Sequence, residues 1–82
     1  MKYMVEFQLK PGSKKEAVEA FERSGPNRHP GVSFRGAWVG KRSDSVFVLT
    51  ESEDEALVEN VAQAWSQHGT YTIHPVIDIE NF

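Results

Sequence analysis

"VSFRGAWVGKRSDSVFVLTE", Val32 to Glu51, is the stretch that decides the fold. It holds two runs rich in β-branched and aromatic residues, Val32–Gly40 and Ser45–Glu51, separated by "KRSD". That distance suits a short hairpin between antiparallel strands. The second run is apolar on both parities, with Val46 and Val48 on one face and Phe47 and Leu49 on the other, as expected of a strand covered on both sides. In the first run the parity stays open. Either Phe34 with Trp38 or Ala37 with Val39 joins Phe47 and Leu49.

Working outward from the hairpin, each flank carries one strand and one helix. Upstream, Tyr3, Val5, Phe7 and Leu9 share one parity and Met4, Glu6 and Gln8 the other, the period of two that marks a strand. Pro11 and Gly12 end it. "SKKE" follows, with Ser13 and Glu16 placed as a capping box for a helix starting near Lys14. Ala17, Val18 and Phe21 form that helix's apolar stripe, which the glycines and prolines of "GPNRHPG" stop by about Ser24. Downstream, "SEDE" repeats the capping box with Ser52 and Glu55, and the acids from Glu51 to Glu55 favour a helix N-terminus. Leu57, Val58, Val61, Ala62 and Trp65 recur at helical spacing, predicting a helix over about Glu53–Gln67 with Gly69 as its left-handed stop. "YTIHPVIDI", Tyr71–Ile79, reads as the last strand.

The order is therefore β-α-β-β-α-β in one domain, residues 1–82. Right-handed crossovers give a ferredoxin-like α+β fold, a four-stranded antiparallel sheet of order 4-1-3-2 with both helices on one face. Pro75 fits this order, because proline donates nothing to a ladder and is tolerated on an edge strand. The second face, with Met4, Phe47, Leu49 and Val76, has no third helix to cover it. Pairing with a second copy, sheet against sheet, is the expected solution.

Composition narrows the function classes. Twelve acidic against nine basic side chains give a net charge of −3, which offers no broad positive field for nucleic acid. With no cysteine, thiol catalysis, Cys-ligated zinc and iron-sulfur chemistry are excluded. His29, His68 and His74 show neither helical i, i+4 spacing nor an HxH pattern, so no metal is expected, and no cofactor motif is present. Nothing approaches the ~20 apolar residues of a membrane helix, and cytoplasmic residence is the expectation.

"MKYMVEF", "GAWVG" before the hairpin, "AWSQHG" in the second helix and the closing "TIHPVID" together resemble a family of small stand-alone domains of unknown function within the dimeric α+β barrel superfamily. The resemblance covers nearly the whole chain and implies a homodimeric barrel. Members of that superfamily include cofactor-free monooxygenases, haem-binding enzymes, lactone isomerases and ligand-sensing domains. Their cavities lie between helices and sheet or within the barrel.

His74 is the leading candidate for chemistry. It shares a face with Thr72, Val76 and Asp78, and pairing Met4 with Val76 sets Glu6 beside His74, Gln8 beside Thr72 and Lys2 beside Asp78. A carboxylate next to an imidazole orients the ring as a general base or a hydrogen-bonding anchor. Trp38 could stack on a ligand and Arg35 could pair with an anion, but strict alternation lets only one of them share His74's face. Gln8 completes the polar set. Asn27, Arg28 and His29 sit on a loop placed to form a lid. The favoured reading is a homodimer that binds a small organic ligand or a partner protein without turnover. The alternative is a cofactor-independent monooxygenase or isomerase on a small aromatic or enolisable substrate, with His74 as base and Glu6 as orienter.

Overall fold

A computed structural model describes residues 1–24 and 29–82, apart from the side chain of Ser24. The elements are β1 (Lys2–Leu9), α1 (Lys14–Ser24), β2 (Ser33–Val39), β3 (Ser45–Glu51), α2 (Glu55–Gln63) and β4 (Gly69–Val76), with a 3-10 turn at Ser66–His68 before β4 and another at Ile79–Asn81 after it. The strands form one antiparallel sheet of order β2-β3-β1-β4, the expected order read from the other edge. Pro75 lies on the edge strand β4, opposite Tyr3.

One face of the sheet is the core. Tyr3, Val5, Phe7 and Leu9 of β1 alternate inward and are buried, together with Val48 and Thr50 of β3. Ala17 of α1 and Val58, Val61 and Ala62 of α2 close over them. The aromatic rings interlock rather than stack flat: Phe21 lies 5.1 Å from Trp65 and 6.2 Å from Phe34, edge to face with the latter. Thr50, fully buried, donates its hydroxyl to the Tyr3 carbonyl at 3.0 Å, so its polar atom costs little.

Four local expectations are corrected. Ser13 does not cap α1 with its side chain; its hydroxyl donates to the carbonyl of Lys10 at 2.7 Å, while its own carbonyl accepts from Ala17 N at 2.9 Å. Asp54, not Ser52, caps α2 by accepting from Ala56 N at 2.9 Å, because Ser52 is buried and donates to the Gly31 carbonyl instead. The second helix ends at Gln63, and Gly69 is an extended residue of β4 whose Cβ, if it had one, would meet the β1 backbone at Leu9 Cα, 2.8 Å away. The last strand starts two residues and ends three residues earlier than expected, which leaves Ile77, Ile79 and Phe82 exposed on a tail outside the sheet.

The largest correction concerns β2. Phe34 pairs with Thr50 and Gly36 with Leu49, so Arg35 is an extra residue in a β-bulge. The bulge reverses the inward parity. Phe34 before it and Ala37 and Val39 after it all belong to the helix-covered face, while Arg35, Gly36 and Trp38 belong to the bare face. Arg35 and Trp38 therefore do share a face, contrary to strict alternation. Gly36 is needed there because a Cβ would come within 2.7 Å of the Trp38 ring, which folds back over it.

Val58 is 0% exposed at the centre of the core. Val58→Ala removes two buried methyl groups and leaves a void, so urea unfolding at fixed protein concentration should show a loss of about 2–3 kcal/mol. A loss below about 0.5 kcal/mol would mean that α2 is not packed as described.

Candidate functional site

Two places could carry function, one on each side of the sheet. On the bare face, Glu6 and His74 meet: His74 Nε2 lies 3.1 Å from Glu6 Oε1. The register that brings them together differs by two residues from the expected one. Met4, not Glu6, is directly opposite His74, and Glu6 is opposite Thr72. A slip of two preserves every face, and the side chains still meet on the diagonal, which is within reach of long residues. Lys2 and Asp78 meet in the same oblique way at 3.1 Å. Neither member of the Glu6–His74 pair is dry, their side chains being 41% and 47% exposed.

The other expected site residues on this face are scattered. Gln8 is exposed and accepts from the Ser45 hydroxyl at 3.1 Å. Arg35 is paired with Glu51, Nε to Oε1 at 2.9 Å, rather than left free for a ligand. Trp38 is 54% exposed and opposite Phe47, and it also borders the space between α1 and the sheet. Arg35 and Trp38 stand on β2 and His74 on β4, the two opposite edges of the sheet. Three strand spacings, roughly 14 Å, separate them. A single chain cannot close all three around one small molecule. His29 packs its ring 6.3 Å from Phe34. Asn27 and Arg28, the rest of the supposed lid, lie outside the described residues.

The enclosed space is on the other side of the sheet. A cleft of about 210 Å³ runs between α1 and the β2–β3–β1 surface, open to solvent along one side. Phe7, Phe21 and Trp65 form its inner wall, Ala17 and Val18 its roof, and Val39 its outer rim. Glu22 and His68 are the titratable groups on its lining. His68 is held by its backbone, whose carbonyl accepts from Lys10 N at 2.9 Å and from Ser13 Oγ at 3.4 Å. Its Nε2 is 3.3 Å from Gln67 Nε2. Among the described residues no cluster of three or more His, Asp or Glu is arranged to hold a metal, and no helix is long and apolar enough to cross a membrane.

Size argues that the cleft is more than a packing fault. At about 24 cal/mol per Å³, a sealed void of 210 Å³ would cost about 5 kcal/mol. That approaches the whole stability of a small domain. Only a space that solvent or a ligand can enter is tolerable at this size. The sequence carried one signal for it: α1 presents Ala17 and Val18 where larger side chains would have filled the gap to the sheet.

A family model, "Domain of unknown function (DUF3303)", matches residues 1–82. The chain belongs to the DUF3303 family. No curated protein sequence matches it. Among solved structures, this DUF3303 domain is similar to an uncharacterised NIPSNAP domain protein from Burkholderia xenovorans, with a TM-score of 0.63, 16% identity and 95% of each chain covered. It is also similar to an antibiotic biosynthesis monooxygenase, with a TM-score of 0.51, 16% identity, and 94% of this chain and 98% of the other covered. At such identity the likeness establishes the shared α+β fold.

Away from both sites, Tyr71 of β4 donates to Glu59 of α2 at 2.5 Å. That hydrogen bond to a carboxylate, then desolvation and the charge of Glu59, raise the tyrosine above its ordinary pKa of 10.0. Folding thus favours the neutral phenol, and the benefit is present below the unfolded pKa and lost as pH climbs through the higher folded one. In urea unfolding across pH 8–11.5, wild type should lose its advantage over Tyr71→Phe above about pH 10. A constant difference across that range would contradict the pairing.

Proposed function

We propose that this DUF3303 domain is a homodimeric binding module that holds a small organic molecule in the cleft between α1 and the sheet, without turning it over. The observation that carries this reading is the cleft itself, with aromatic inner walls and few polar groups, as small-molecule sites usually have. Its 210 Å³ is below the range for drug-sized ligands and suits one ring with a short substituent. Dimerisation through the bare sheet face is part of the proposal. Met4, Phe47, Leu49 and Val76 are apolar residues on that face with no helix over them, and a second copy would cover them while leaving the cleft on the outside.

A second reading rests on the 3.1 Å contact between His74 and Glu6. An imidazole oriented by a carboxylate can abstract a proton from a small aromatic or enolisable substrate, as a cofactor-independent monooxygenase or isomerase requires. The monooxygenase among the similar structures fits that idea. The exposure of the pair and its distance from the cleft weigh against it, and it requires that His74→Ala abolish turnover.

Titration with p-cresol, followed by amide shifts in NMR, distinguishes the two places. Shifts should concentrate at Phe7, Ala17, Val39 and Trp65, and both Ala17→Phe and Val39→Trp, which fill the cleft from the roof and from the rim, should remove them. Shifts centred on Glu6 and His74, or none at all, would contradict the proposal.

A further inference from the structure

Charge is not spread evenly over this fold. Where β1 stops, α1 begins and β2 turns into β3, the chain places Lys10, Lys14, Lys15, Lys41 and Arg42, against Glu16 and Asp44 in the same turns. The opposite end gathers Glu51, Glu53, Asp54, Glu55, Asp78 and Glu80. A chain with a net charge of −3 thus carries a locally positive end. The cleft reaches that end at Leu9, the last residue of β1, and Val39, the last of β2, and runs along α1 from Ala17 to Glu22, the one carboxylate on its lining.

Two polar groups there have donor or acceptor capacity left over. Lys14 Nζ donates to the Gly40 carbonyl, strapping the start of α1 to the end of β2. Among the described residues no carboxylate pairs with it; the ion pairs are those of Lys2, Arg35 and His74. His68, only 8% exposed, lines the cleft, and beyond the contact of its Nε2 with Gln67 its ring has no partner among the described residues. Ser13, next to Lys14 in the chain, reaches the His68 carbonyl, so both groups belong to one corner.

A largely apolar slot, with Glu22 on its lining and a partly buried ammonium strapped to Gly40 beside the rim residue Val39, selects for molecules with two parts. Hydrocarbon gains about 25 cal/mol per Å² on entering the slot. A carboxylate would be penalised deep inside it but can stay hydrated at the rim and accept a charge-assisted hydrogen bond from lysine. Lys10, Lys15, Lys41 and Arg42 add a field that draws anions to this end. We propose that the ligand is an amphipathic carboxylate, with a single ring or branched hydrocarbon body among Phe7, Phe21 and Trp65 and its anionic group at Lys14. This deepens the reading of the cleft as a binding site and rests on it.

Phenylacetate and its neutral isostere phenylacetamide, titrated by NMR at low ionic strength, test the inference. Phenylacetate should bind roughly tenfold more tightly, and raising the salt to 0.5 M should erode the difference. Lys14→Gln should weaken phenylacetate to the level of the amide and leave the amide unchanged. Equal binding of the two compounds to the parent protein overturns the inference while leaving the cleft a neutral-ligand site. Equal weakening of both by Lys14→Gln also overturns it, since lysine would then act only as a strap. Binding of neither compound removes the cleft reading and the inference with it.

Discussion

A four-stranded sheet has two faces, and the described residues build helices for only one. Everything else in the structure answers to that constraint. β1 and β3 sit at the centre and carry apolar residues in both directions, so the face opposite the helices cannot be built as an ordinary wetted surface. Its apolar middle of Met4, Phe47 and Leu49 is flanked by polar pairs: Arg35–Glu51 toward β2, Glu6–His74 and Lys2–Asp78 toward β4. Exposed pairs of this kind contribute roughly 0–1 kcal/mol to stability each. Their greater effect is on what could pack there, because any partner for this face would have to meet their charges as well as bury the middle.

The helix-covered face meets the opposite problem. Its helices are short and α1 is sparsely apolar, so the layer does not fill the space above β2 and β3, and the cleft is what remains. Core packing and cleft thus have one origin. The aromatic cluster of Phe7, Phe21, Phe34 and Trp65 is the stiff part of the core, and all but Phe34 also form the inner wall of the cleft.

Element order, sheet order and the edge position of Pro75 were legible because they depend on periodicity and on where proline and glycine interrupt it. The pairing of β1 with β4 was legible only to its parity. Alternating patterns forbid a slip of one residue but not of two, and the actual register pairs Met4 with His74. The bulge at Arg35 was hidden because one extra residue leaves no mark in composition, yet it moves Trp38 and Arg35 to one face. Asp54 displaced Ser52 as the helix cap because Ser52 is engaged with a loop 21 residues earlier, a contact that no local pattern announces. The Glu6–His74 contact was readable from strand parity. The cleft was hinted at only by the small residues of α1, since its volume is a difference between two layers rather than a property of any segment.

The proposed dimer requires that a second copy of the chain cover the bare sheet face. Sedimentation equilibrium at low micromolar concentration measures this directly. The predicted mass is twice 9.3 kDa for the parent chain, falling to a single chain in Phe47→Lys, whose substitution puts an unpaired charge at the centre of that face. A parent chain that sediments at 9.3 kDa would contradict it.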